Sequence, residues 1–168
     1  FNEDQVRTMG RVSTGVIGMR LDGGDDEVIG MVCVNDPLQE TIMVVSENGY
    51  GKRSEVEDYR KTARGTKGVK TLAITEKTGR LVAIKVVTDE NDLMIINKSG
   101  ILIRLKVADV RVMGRATQGV RLINLTKKND TIASVCKVMS SQEEDVEEAQ
   151  IVDEEQTDAN DTPTTNQE

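Results

Sequence analysis

Apolar residues in this chain come in short blocks and in alternation, and nowhere in residues 1–140 do they recur at the three- and four-residue spacing of an amphipathic helix. Thr41–Ser46 and the stretch 50–56 read as two strands. Between them Asn48-Gly49 predicts a hairpin with a two-residue turn, in which both central residues take positive φ. Ser99-Gly100-Ile101 repeats the place of Asn48-Gly49-Tyr50. Three further blocks rich in β-branched residues, 28–34, 81–87 and 132–138, predict strands as well. Turn residues punctuate the series at Asp22-Gly23-Gly24-Asp25, Asn35-Asp36-Pro37 and Lys77-Thr78-Gly79. The expectation is an all-β body.

The blocks recur because the sequence repeats itself. A core of the form Arg-x-Ser/Thr-x-Gly-Val appears as Arg11-Val12-Ser13-Thr14-Gly15-Val16, as Arg64-Gly65-Thr66-Lys67-Gly68-Val69 and as Arg115-Ala116-Thr117-Gln118-Gly119-Val120, its glycines 53 and then 51 residues apart. Four residues before each of these arginines stands another, Arg7, Arg60 or Arg111, preceded by Val6, Tyr59 or Val110. Positions four and six after each glycine are apolar, Met19 and Leu21, Leu72 and Ile74, Ile123 and Leu125, which predicts a strand with one face buried. Four residues beyond each hairpin glycine comes a third basic position, Arg53 and Arg104. Units of about four antiparallel strands at a period near 50 indicate blades, those of a propeller or a relative of one. Two nearly complete units, 27–72 and 81–125, are flanked by the end of an earlier unit and the start of a later one, too little to close a ring. The chain opens on Phe1 partway through a unit, and an open array leaves an unpaired strand edge, a route to self-association.

Charge divides the chain in two. Residues 141–168 hold 11 Asp or Glu and no Lys or Arg, a composition that predicts a disordered tail. All 22 Lys and Arg therefore lie in residues 1–140, so a net charge of −7 conceals a basic body. Aromatic residues make up 2% and Trp is absent, which argues against stacking on single strands and for duplex phosphate as the target. With no His, and with Cys33 and Cys136 far apart, neither a metal site nor a redox pair is expected. No apolar run approaches the ~20 residues of a membrane helix, and the expected compartment is a reduced cytosol.

Regularly spaced arginines suit a polyanion whose own charges are regularly spaced, because the planar guanidinium pairs two phosphate oxygens at once. The candidate DNA-binding residues are Arg7, Arg11, Arg53, Arg60, Arg64, Arg104, Arg111 and Arg115, with Lys67 and Arg121 extending the patch. The plainer alternative is that these side chains are solvated or paired with local acids such as Glu55, Glu57, Asp58 and Asp109. Gly10, Gly15, Gly68, Gly114 and Gly119 serve equally as turn or bulge devices. No catalytic residue is expected: Tyr50 and Tyr59 occupy apolar slots of the repeat, and no phosphate-binding Gly-rich loop occurs.

The runs from Glu3-Asp4-Gln5-Val6-Arg7 to Gly15-Val16, Asn48-Gly49-Tyr50-Gly51-Lys52-Arg53 and Gly114-Arg115-Ala116-Thr117-Gln118-Gly119-Val120 closely resemble the C-terminal domain of bacterial DNA gyrase A proteins. The resemblance covers roughly residues 1–138. It implies a β-pinwheel, a disc of propeller-like blades that exchange strands and wrap duplex DNA around a basic rim. It further implies a parent enzyme that is an ATP-dependent type II topoisomerase introducing negative supercoils, an A2B2 heterotetramer with the gyrase B protein, with ATP and Mg2+ bound outside this chain, in the bacterial cytoplasm on the nucleoid. Residues 1–140 would be the last blades and 141–168 an acidic tail able to fold back on the rim. The family's Gln-Arg-Arg-Gly-Gly-Lys-Gly segment does not occur in this sequence. The related C-terminal domain of topoisomerase IV, and a propeller-like protein-interaction scaffold, are the alternatives.

Overall fold

The computed structural model describes residues 1–125 and 130–140, so the expectation for the acidic tail lies outside the described residues. Seven strands are formed: β1 (Thr41–Ser46), β2 (Tyr50–Glu55), β3 (Leu81–Val87), β4 (Asn91–Asn97), β5 (Leu102–Lys106), β6 (Val120–Arg121) and β7 (Ile132–Met139). Three single 3-10 turns, Glu3–Gln5, Val56–Asp58 and Val107–Asp109, complete the regular structure, and no α-helix occurs among the described residues.

The strands make two antiparallel sheets, ordered β3-β1-β2-β6 and β5-β4-β7. Each is built on a hairpin. In β1-β2 the register sets Val45 opposite Gly51, and in β4-β5 it sets Ile96 opposite Leu102. The connection Glu47-Asn48-Gly49 therefore has three residues, not the two expected from Asn-Gly, and the matching Lys98-Ser99-Gly100 is followed by Ile101 before β5 begins. Gly49 and Gly100 close them at φ 80° and 86°, a left-handed backbone that suits glycine. Ser46 donates its hydroxyl to the carbonyl of Tyr50, and Asn97 at the matching place accepts from the amide of Ile101, so polar side chains pin both tips.

Strand exchange accounts for which expected strands form. The strand that follows a hairpin in the next unit pairs with its first strand, β3 with β1 and β7 with β4. The segment after a repeat glycine pairs with the second strand of the hairpin one unit earlier, β6 with β2. The block 28–34 holds the same repeat position as β3 and β7, yet it forms no strand, because no hairpin precedes it among the described residues. The segments after Gly15 and Gly68 stay irregular because no hairpin one unit earlier than theirs lies among the described residues. Met19, Leu21 and Ile74 are exposed there, against the expected half-buried alternation, while Leu72 and Leu125 are buried.

Apolar burial follows the same logic. Met43, Val45, Ala83, Val87, Leu93, Ile95, Ile132 and Val135 form one core, joined by Val107, Val110 and Leu125. Ile42, Val44, Val86 and Leu72 form a second, against which Val32, Val34 and Tyr59 pack. β1 contributes alternate residues to both cores, which is why it reads as an unbroken apolar run.

Candidate nucleic-acid interface

The basic residues that the repeat aligns have four different surroundings. Arg7, Arg60 and Arg111, four positions before each motif, are exposed and make no hydrogen bond or ion pair with any described residue. Each stands two residues after a short 3-10 turn, whose C-cap amide bonds back to the first residue of the turn. These three exposed guanidinium groups share one position of the repeat.

The motif arginines are spent on the protein. Arg64 donates from Nε to the carbonyl of Gln5 at 3.3 Å and from its terminal nitrogen to that of Ile17 at 2.8 Å. Arg115 does the same one unit later, from Nε to Asp58 at 3.1 Å and from its terminal nitrogen to Lys70. Gln5 and Asp58 precede their repeat glycines by 10 residues, and Ile17 and Lys70 follow them by two, so the contacts are equivalent. Each guanidinium bridges two main-chain carbonyls of the preceding unit. The backbone adds a parallel tie, since the amide of Arg20 bonds the carbonyl of Thr66 at 3.0 Å and that of Ala73 the carbonyl of Thr117 at 3.1 Å. Arg11, in the first copy, is exposed.

The third position is interior or ion-paired. Arg53 is 7% exposed, donates from Nε to the carbonyl of Val110 at 2.6 Å and pairs with Asp89, so its expected place on a DNA-facing rim is corrected to the inside of the first sheet. Arg104, its counterpart, pairs with buried Asp92 at 2.6 Å. Lys67 pairs with Asp22. Arg121 lies over the ring of Tyr50, 5.7 Å from its centroid, and donates to the Tyr50 hydroxyl at 3.3 Å. None of the ion pairs involves Glu55, Glu57, Asp58 or Asp109. Tyr50 is buried and Tyr59 packs on the second core, its hydroxyl 2.6 Å from that of Thr71.

Sequence reasoning passed over Lys52. Its side chain is 0% exposed, and its ammonium donates to the carbonyls of Gly114, at 2.6 Å, and Arg115. Burial lowers its pKa to about 8; Asp58 pulls it back up and Arg115 pushes it down. Ser54, two residues on, donates its hydroxyl to the carbonyl of Met113 at 2.8 Å. The glycines divide too. Gly15, Gly68 and Gly119 have φ of 89°, 79° and 83°, whereas Gly10 and Gly114 are not in that region.

Antiparallel hairpins that each accept strands from the following repeat, in an array that does not close, define a β-pinwheel. The family model for the DNA gyrase C-terminal domain, beta-propeller, matches residues 1–35, 40–88 and 91–136. The chain belongs to that family. It is 47% identical over 150 residues to the DNA gyrase A protein of Staphylococcus aureus (strain MRSA252), and equally identical over 148 residues to that of strain NCTC 8325 / PS 47. The first match covers 89% of this chain and 17% of the relative, so the chain spans about a sixth of the curated proteins it matches. A solved DNA gyrase A C-terminal domain superposes with a TM-score of 0.67 at 25% identity, over 80% of this chain and 45% of that one. The C-terminal domain of DNA topoisomerase IV shares the fold, with a TM-score of 0.75 at 23% identity over 82% and 42%.

Proposed function

We propose that residues 1–140 are the last blades of a DNA-wrapping domain of a gyrase-type enzyme, itself non-catalytic, and that 141–168 is an acidic tail that competes for the same rim. The observation that carries this reading is the exposed, unpartnered row Arg7, Arg60 and Arg111, in a chain of the gyrase C-terminal family. Arginines held at one repeat position on successive blades can meet the phosphate backbone of a bent duplex at regular intervals. In the parent enzyme such wrapping presents a crossing DNA segment for ATP-driven, Mg2+-dependent strand passage, in an A2B2 assembly in the bacterial cytoplasm, so that negative supercoils accumulate. No helix among the described residues is long and apolar enough to cross a membrane.

Duplex affinity should fall steeply with salt and vary little with sequence. Ligation of nicked circles in the presence of the protein should shift their linking number. Binding without a linking-number shift would remove wrapping from the reading, and indifference to duplex DNA would leave the blades as a protein-interaction scaffold.

A further inference from the structure

Among the described residues, Arg111 is the member of the exposed row whose chain is held by another unit close by on both sides, whereas Arg7 and Arg60 are so held only upstream, at Gln5 and Asp58. On its N-terminal side the carbonyl of Val110 accepts from Arg53 Nε. On its C-terminal side Met113 is held twice, its amide bonding the carbonyl of Arg53 at 2.8 Å and its carbonyl accepting from Ser54. The next two carbonyls, Gly114 and Arg115, accept from Lys52. Three consecutive side chains of β2, Lys52, Arg53 and Ser54, thus hold four carbonyls around one arginine that itself bonds no described residue. Val112 bridges to Arg53 in parallel, so the segment lies along β2 without joining it as a full strand.

This clamp is not a generic feature of the repeat. The residues of β5 that match Lys52, Arg53 and Ser54 are Ile103, Arg104 and Leu105, so only the shared arginine recurs. A lysine wholly removed from solvent costs more than an apolar residue unless its hydrogen bonds are used, and here they go to the main chain beside Arg111.

We propose that β2 is a mount for the next unit's DNA-contact segment, with Lys52 and Ser54 as positioning residues for Arg111. The inference rests on the DNA-binding reading. Neither residue faces solvent, so neither touches phosphate; each acts by fixing the backbone from which Arg111 projects. A flexible Arg111 would lose more side-chain and backbone freedom on binding, and affinity falls accordingly.

The test is a double-mutant cycle on the full 168-residue chain, with a random-sequence duplex as the probe. Arg111→Ala is expected to weaken binding about threefold or more, and Lys52→Met to weaken it comparably in the wild-type background but not in Arg111→Ala. Ser54→Ala should do the same to a smaller degree, and it carries the comparison if Lys52→Met no longer melts cooperatively. The melting midpoint should drop equally in both backgrounds, which separates lost stability from lost positioning. A Lys52→Met or Ser54→Ala defect that persists undiminished in Arg111→Ala overturns the mount, as does binding indifferent to Arg111→Ala. Absence of duplex binding by the wild-type chain overturns the DNA reading itself.

Discussion

Arg60 and Arg64 stand four residues apart, both in a loop, and nothing in their immediate sequence separates their roles. Arg64 is held by the carbonyls of Gln5 and Ile17, far upstream, whereas Arg60 meets no described partner. Substituting Arg64 or Arg115 by Ala removes two solvent-exposed hydrogen bonds each and should lower stability by about 0.5–1.5 kcal/mol in denaturant melts. Arg60→Ala and Arg111→Ala should leave the same melts within about 0.5 kcal/mol. Lys52 offers a test by pH. Its folded-state pKa of about 8 lies below the unfolded value of 10.5, so between these the unfolded chain binds more protons. Stability from this site is therefore lowest below pH 8 and recovers as pH climbs through the window. The neutral amine keeps two N–H groups for its two carbonyls, so the contact survives deprotonation. Relative to Lys52→Met, the wild type should gain roughly 1–3 kcal/mol from pH 7.5 to 10; a difference that shrinks over that range contradicts the assignment. The arginine columns were legible in the repeat, but their division was not, because it depends on carbonyls some 45 to 60 residues away in sequence. Lys52 left one readable trace: aligned with the second hairpin, it stands where Ile103 occupies a half-buried strand position.

The hairpins were legible because their signals are local. A block of β-branched residues, a closing glycine and a second block lie within a few residues of one another, and β1 and β3 match their expected bounds. The block 28–34 has the same composition and forms no strand, since pairing is decided by the hairpin it would join. β-propensity describes a residue that fits a sheet and does not supply the sheet. The contact between β2 and β6 gives the element-scale prediction. Gly119 has a φ of 83°, and a Cβ there would lie 2.6 Å from the carbonyl oxygen of Gly51. Gly119→Ala should therefore destabilise the chain by about 1–3 kcal/mol or more in thermal melts. Gly114→Ala meets nothing within 4 Å at an ordinary φ and should be close to neutral there. Equal effects would show that β6 does not dock on β2 as described.

At the scale of the molecule, the two sheets are not equivalent, because β2 carries β6 on its outer edge while β5 has no strand beyond it among the described residues. Lys106 places an exposed charge on β5 along that edge, which opposes pairing with a second copy. The chain should accordingly run as a monomer at moderate salt in light-scattering chromatography. On the proposed competition for the rim, deletion of the acidic segment 141–168 should raise duplex affinity at low salt, the gain shrinking as salt rises. What the repeat register conveyed at this scale was the spacing of the basic rows; which row has no protein partner among the described residues emerged only from the contacts between units. The most direct test is the salt dependence of duplex binding in two double variants. The account predicts that Arg60→Ala with Arg111→Ala flattens the slope of log affinity against log salt by about two, while Arg64→Ala with Arg115→Ala, assayed below its melting transition, leaves the slope near the wild-type value. A slope that flattens with loss of Arg64 and Arg115, and holds with loss of Arg60 and Arg111, would contradict it.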